Sequence, residues 1–377
     1  MSEEKNKVNE EQINAVISRL ESKDFGIYFF TLDTKGNPVA GVANIYEHVK
    51  VLNELGYKAY ILHEKNDYKK VGDENENGLA DWLGEDYVNL PHVSIESGAL
   101  NVGPHDFLII PEVFATIMQQ KEVRSLPCKK LVFSQSPEYI FELLPLGRRW
   151  TDFGFNDVIT TSDKQAEYLK SLFPSINTHV VPVAISSDFK PSKKPKLPIV
   201  GIHARNQNDV TKITKSFYLQ YPVYKWLTFK DLRGMSKTKF AEELSKCCLA
   251  VWVDDVAGFG TFPLEAIECN TPVIGKIPNM VPEWMEVSDE EGNSTLRYNG
   301  LWTNSTLNMP ELISTYMKVW LEDSVPQELI DGMGETKGVY SEENQKVKIE
   351  EVYNSLVQNR VDEFKNIINS IQVETKN

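Results

Sequence analysis

The stretch from Leu249 to Gly275 constrains the rest of the chain most tightly. Leu249-Ala250-Val251-Trp252-Val253 is an apolar run of strand length and β-branched content, and it empties into Asp254-Asp255-Val256-Ala257-Gly258-Phe259-Gly260 before a pattern of helical period begins. A strand therefore meets a helix through a glycine loop. At the first turn of that helix the backbone N–H groups of Gly260, Thr261 and Phe262 have no intrahelical acceptor, and the helix dipole is positive there. An anion belongs at such a place, above all a phosphate. Pro263 fits the first turn because it has no N–H to leave unpaired. Glu265 lies one turn in, where its carboxylate can accept from the paired hydroxyls of a ribose. Asn270 tolerates the left-handed helix end, and Thr271-Pro272-Val273-Ile274 starts the next strand.

Gly258-Phe259-Gly260, Pro263-Leu264-Glu265-Ala266 and Thr271-Pro272-Val273-Ile274 together resemble the nucleotide-sugar motif of family 4 glycosyltransferases, retaining enzymes of the GT-B type. The resemblance implies an α/β chain of two Rossmann-like, doubly wound domains facing across a cleft, with the donor held mainly by the second. It implies donor contacts from Gly258, Phe259, Gly260, Thr261, Phe262 and Glu265. In that motif two glutamates stand eight positions apart, the second on the ribose and the first on the donor sugar. Glu265 matches the second, and Ala257 occupies the place of the first.

A chain of 377 residues is too long for one comfortable core, so two domains are expected. We place them at residues 1–190, joined by the C-terminal helix 341–377, and at residues 191–340. The hydrophobic content of 41% and charged content of 25% are those of a globular protein. A net charge of −14 argues against nucleic-acid or anionic-membrane binding through the field of the whole protein, though it leaves room for a local basic groove. The apolar runs fall short of the ~20 residues a membrane helix needs, so no transmembrane segment is expected. The charged N-terminus lacks a signal-peptide core, and the cysteines at 128, 247, 248 and 269 have neither metal spacing nor the look of a disulfide framework. Both point to a reducing cytoplasm. Six scattered histidines propose no metal site, and no cofactor is expected beyond a nucleotide-sugar substrate.

Residues 1–22 read as a polar, exposed helix or a frayed lead-in. Phe25–Thr31 is a buried strand, and a helix with Ile45, Tyr46, Val49, Leu52 and Leu55 on one face leads to the strand Ala59–Leu62. This βαβ opening means parallel strands. The resemblance maps a phosphate- and acceptor-contacting loop onto Ala40-Gly41, while a plain surface loop is the alternative. Asp73–Asn77 reads as a solvated acidic loop. Further strands are expected at 107–110, 131–133 and 157–161. Where family members often place a histidine near these strand ends, the chain offers Glu112 and Gln135, which suit a turn or cap contact better than catalysis. Lys190–Lys196, basic and proline-bearing, reads as a solvated linker.

The strand Ile199–His203 is followed by Arg205 and Lys212, seven positions apart, with Lys215 as a rival. The resemblance implies an arginine and a lysine here, neutralising the departing diphosphate, so Arg205 and Lys212 are the expected catalytic cations, with plain exposed charges at a helix start as the alternative. Tyr224–Phe229 reads as another strand, and Leu232-Arg233-Gly234-Met235 as a turn that, by the resemblance, sets Met235 against the nucleotide base. Met235 serves equally well as core filler. The helix from about Ser341 carries an apolar stripe through Val347, Val352, Leu356, Val361, Phe364, Ile368 and Ile371. The resemblance implies that it crosses back to the first domain, with the coiled coil of a homodimer as the runner-up.

The resemblance implies a metal-independent, retaining glycosyltransferase that moves a sugar from a nucleotide-sugar donor. The acceptor class stays open between saccharide, lipid, protein, small molecule and modified nucleic-acid base. A non-catalytic nucleotide- or glycan-binding GT-B homologue is the alternative, suggested by Ala257. A dinucleotide-dependent Rossmann enzyme is disfavoured, because no glycine fingerprint is followed by an acidic residue about 20 positions on.

Overall fold

The computed structural model describes all residues except Met1, Lys35, 67–78, Ala99, Glu290 and Asn377. Contacts divide the chain into two units, Met1–Val181 with Lys346–Asn377, and Pro182–Gln345. The expected acidic loop Asp73–Asn77 lies outside the described residues.

The first unit begins with helix α1 (Ser2–Glu21), followed by β1 (Gly26–Phe30), α2 (Ala40–Glu54) and β2 (Lys58–His63). Four short helices, α3 (Glu85–Val88), α4 (Ala115–Met118), α5 (Lys121–Ser125) and α6 (Tyr139–Leu143), alternate with β3 (His92–Ser94), β4 (Phe107–Pro111) and β5 (Lys129–Ser134). Then come β6 (Asp157–Thr160), α7 (Asp163–Leu172) and β7 (Asn177–Val180). Among the described residues seven strands, all parallel, lie in the order β3-β2-β1-β4-β5-β6-β7. This is a doubly wound sheet whose order reverses between β1 and β4. Pleating sends Phe29, Ile61, Ile109 and Phe133 to one core, and Phe30, Leu62, Ile110 and Val132 to the other. Helix α1 is less exposed than its polar sequence suggests, since Ile17 and Leu20 are buried in the first of these cores.

The second unit contains β8 (Leu197–Ala204), α8 (Gln207–Gln220), β9 (Thr228–Asp231), α9 (Lys237–Lys246), β10 (Cys247–Val253), α10 (Thr261–Glu268) and β11 (Val273–Lys276). It goes on through the hairpin β12 (Glu286–Ser288) and β13 (Ser294–Leu296), then β14 (Leu301–Thr303), α11 (Met309–Leu321) and α12 (Gln327–Thr336). Five parallel strands lie in the order β14-β11-β10-β8-β9, so the reversal falls between β8 and β10. Every residue of the central strand β10 is buried, which is why it reads as an unbroken apolar run. Helices α8 and α11 cover one face of this sheet. Helices α9 and α10 cover the other.

The strand expected over Tyr224–Phe229 is shorter and later. Pro222–Tyr224 forms a 3-10 turn and β9 starts only at Thr228. Pro222 pre-sets that turn and has no N–H to give a ladder. The last helix, α13 (Glu342–Lys376), sends Ile349, Tyr353, Leu356, Val361 and Phe364 into the first unit's core, so its apolar stripe is used within the chain. The expected solvated linker contains one anchored lysine. Lys196 Nζ donates to the carbonyls of Ser245 and Cys269 (2.9 and 2.8 Å) and to Thr271 Oγ1 (2.7 Å). Its neighbours saturate it, which takes it away from any ligand.

Candidate functional site

The carboxyl edge of the second sheet is where the strongest sequence signal falls. His203 pairs with Trp252 and Ala204 with Val253 across the parallel strands β8 and β10. The residues that follow therefore leave neighbouring strands side by side at the point where strand order reverses. Those residues are Arg205 and Asp254. The guanidinium forks onto the carboxylate, Nε to Oδ1 at 2.7 Å and Nη2 to Oδ2 at 3.1 Å. Asp254 also accepts the Val256 N–H on Oδ1 (3.3 Å), and its carbonyl accepts the Ala257 N–H (3.4 Å), which turns the chain into the glycine loop.

Gly260 caps α10 with φ +74 and no side-chain hydrogen bond, and no acidic residue stands in the first turn. The helix end thus keeps its positive partial charge unsatisfied by any capping side chain. The corner is fixed from behind. Trp284 Nε1 donates to the Phe259 carbonyl at 2.7 Å, the Phe259 ring sits edge-on to Tyr340 at 5.0 Å, and Phe262 stacks on His203 at 5.0 Å with 20° between the planes. Gly258, Phe259 and Phe262 are buried and Gly260 and Thr261 half-buried, so what this segment offers a ligand is chiefly backbone.

One turn along, Glu265 is half-buried, and its carboxyl makes no hydrogen bond or ion pair among the described residues. Burial pushes its carboxyl up to about 8. An acid kept out of water without partners is expensive to ionise, and an incoming pair of hydroxyls supplies what is missing. Ala257, at the place of the family's other glutamate, is buried in the apolar cluster with Trp252, Phe259 and Phe262. Met235 is half-buried beside that cluster, after Gly234 with φ +74.

Lys212 and Lys215 are exposed residues of α8, which packs on the opposite face of the sheet from α10. The structure pairs Arg205 with Asp254 at the entrance to the glycine loop that leads into α10, and leaves Lys212 on α8, in the other layer. His203, which motif reasoning passed over, shares the pleat face of Arg205. The signal that could have found it is the alternation Gly201, His203, Arg205. Burial lowers the pKa of this imidazole, with Asp254 and Asp231 pulling it up and Arg233 and Arg205 pushing it down.

In the first unit, Gly41 is the second residue of α2 and not part of a loop. Its carbonyl accepts from Gln135 Nε2 at 3.0 Å, and Asn44 Nδ2 donates to Gln135 Oε1 at 3.1 Å. Buried Glu112 accepts the N–H groups of Gln135 and Ser136 on Oε1 (2.9 and 2.8 Å), the turn contact expected of it. Burial pushes its carboxyl up to about 7. These residues follow β4 and β5 and tie the end of the sheet to the first turn of α2. Among the described residues no group of three or more metal-ligating side chains is found, and no helix is long and apolar enough to cross a membrane.

No protein-family model and no curated protein matches this sequence. Solved structures do match along most of the chain. Sucrose-phosphate synthase from Thermosynechococcus elongatus aligns with a TM-score of 0.57 at 12% identity, covering 89% of this chain and 99% of that one. Anabaena HepE, solved in complex with UDP-glucose, aligns at 0.57 and 12%, covering 88% and 99%. The pneumococcal O-GlcNAc transferase GtfA, solved with UDP and GlcNAc, aligns at 0.54 and 10%, covering 92% and 99%. At such identities the likeness speaks for the fold, and the fold of these two Rossmann-like units is that of the GT-B glycosyltransferases.

Proposed function

We propose that the chain is a glycosyltransferase that moves a sugar from a nucleotide-sugar donor to an acceptor, with retention at the anomeric carbon as the family 4 motif implies. The observation that supports this reading is the fork of Arg205 on Asp254 at the reversal point of the second sheet, where the chain enters the glycine loop that leads to the uncapped end of α10 and to Glu265, whose side chain has no partner among the described residues. Breaking the bond between a sugar and a diphosphate leaves negative charge on the departing oxygen. Groups already oriented towards that charge lower the barrier most. Arg205 and the backbone N–H groups of Thr261 and Phe262 take that part here, in place of a metal ion, and Glu265 holds the ribose. Lys212 belongs to the proposal as a second cation, subordinate to Arg205 because of its layer. Gly41 and Gln135 belong to the acceptor side.

HepE and GtfA were solved with UDP-glucose and with UDP and GlcNAc, so UDP sugars are the first donors to test. Donor hydrolysis and transfer, followed by mass spectrometry with saccharide, lipid, protein and nucleic-acid acceptors, test the reading. Sugar release from one donor supports it. A second reading, a nucleotide- or glycan-binding protein without turnover, is favoured by Ala257 in the place of a glutamate. Tight nucleotide binding with no release from any donor selects that one.

A further inference from the structure

The carboxyl edge of the second sheet holds a polar group that neither the motif nor the proposed mechanism uses. His203 is the penultimate residue of β8, and pleating puts it on the same face as Arg205, the face that α10 covers. Its ring lies flat on Phe262, the second residue of α10. Nδ1 is sealed from solvent and has no partner, so Nε2 is the ring nitrogen left to meet a ligand. No hydrogen bond or ion pair of the His203 ring is found among the described residues.

We propose that His203 is a further binding residue for the donor, giving its Nε2–H to a phosphate oxygen of a nucleoside diphosphate seated at the start of α10. The inference rests on the reading under Proposed function and adds a named donor to it.

The protonation state follows from the surroundings. Four charged groups face the ring, and they are paired with each other. Arg205 is forked on Asp254, and Arg233 is forked on Asp231, Nε to Oδ1 at 3.0 Å and Nη2 to Oδ2 at 2.6 Å. With the charges offset in pairs, burial decides, and it lowers the pKa of the imidazole, which stays neutral at pH 7. A neutral imidazole carries one N–H. On Nδ1 that proton would be a buried donor without an acceptor, whereas on Nε2 it meets water or a ligand. The proton therefore sits on Nε2. A neutral donor at this spot helps hold a diphosphate without adding a third cation beside Arg205 and Arg233.

Two substitutions in the full chain separate the donor from the ring. His203→Phe keeps the stacking on Phe262 and removes the N–H, while His203→Gln places an amide N–H close to where Nε2 stood. Calorimetry with UDP and GDP is expected to show His203→Phe binding the better of the two roughly 10- to 100-fold more weakly than wild type, as for one lost bond to a charged group. His203→Gln should stay within about 3-fold, and wild-type affinity should not strengthen as pH falls from 8 to 6.5, because a neutral donor has no charge to gain there. His203→Phe equal to wild type, or His203→Gln as weak as His203→Phe with both melting normally, overturns the inference. If Arg205→Ala still weakens UDP in that case, the reading of the site survives. Wild-type protein that binds neither UDP nor GDP overturns both.

Discussion

Arg205 and Asp254 leave adjacent parallel strands one residue after a matched pair, Ala204 with Val253, and close a forked ion pair across the point where the sheet reverses its order. Asp254 is largely covered, with a side-chain exposure of 16%, whereas Arg205 keeps 47%. The aspartate is thus the fixed partner and the arginine the one that presents itself. Loss of an oriented donor to a developing oxyanion costs about 3–4 kcal/mol. Arg205→Ala should accordingly lower kcat for donor cleavage by about 10² to 10³. Lys212→Ala, on the opposite layer, should lower it less than 10-fold. Initial rates with the best donor decide this, and equal losses would remove Arg205 from its leading place.

Glu265 makes a prediction about protons. Its carboxyl is raised to about 8, so at pH 7 the folded protein holds a proton there that an unfolded chain releases near 4.3. Between those values the native state binds more protons than the unfolded one, and stability falls as pH rises. Glu265→Gln should therefore be the more stable form at pH 8, by roughly 1–2 kcal/mol after allowance for partial exposure, with the gap closing towards pH 5. A nucleotide whose ribose hydroxyls donate to the carboxylate favours the ionised form, so binding should release a proton at pH 7. Calorimetry in buffers of different ionisation enthalpy measures that release. No release, or uptake, would take the ribose away from Glu265.

The fold was legible where periodicity was strong and short range. Leu249–Val253 with Gly260, Pro263 and Asn270 carries its strand, loop and helix in its own sequence, and Asn270 does adopt a positive φ of 53. The strand misplaced at Tyr224 shows the limit, because Trp226 and Leu227 look like strand residues until Pro222 closes a turn on them. The site was half legible. Glycines and Glu265 have a fixed spacing, but the partnering of Arg205 by Asp254 depends on the register of β8 against β10, which lies 49 positions away along the chain. His48 makes the same point in the core. Its imidazole is pushed down to about 3 among Phe29, Phe133 and Tyr353, and nothing in the sequence beside it says so.

At the amino edge of the first sheet, Asp157 bonds Lys129 at 2.8 Å and His179 at 3.1 Å, and Lys129 also reaches Glu363 of α13 at 2.9 Å. Burial alone would raise the Asp157 pKa, but the bonds from His179 and Lys129 outweigh it and hold the value below its ordinary range. A depressed acid contributes stability that is present above the unfolded value of about 3.9 and is lost as pH falls through the folded value. Asp157→Asn should cost about 2–3 kcal/mol at pH 7 by leaving a covered lysine short of one partner. In urea titrations the difference from wild type should shrink below about pH 4. A constant difference down to pH 3 would mean that packing, not charge, is what the substitution removes.

Gly260 and Gly338 share a φ of +74 but not their surroundings, and the pair separates backbone strain from collision. A Cβ on Gly338 meets nothing within 4 Å, so Gly338→Ala bears only the cost of a left-handed alanine, about 1 kcal/mol. A Cβ on Gly260 would lie 2.9 Å from Trp252 Cζ2 and 3.0 Å from Cη2, both on a ring wedged between β10 and Trp284. Overpacking of that kind adds about 1–3 kcal/mol. Gly260→Ala should then lose about 2–4 kcal/mol in urea unfolding, and it should also weaken UDP binding, because the relief available is a shift of the α10 end away from Trp252. Gly338→Ala should leave UDP binding unchanged. Equal stability losses in the two variants would show that Trp252 yields at little cost, and the close approach of the loop to that ring would then have no part in holding the helix end in place.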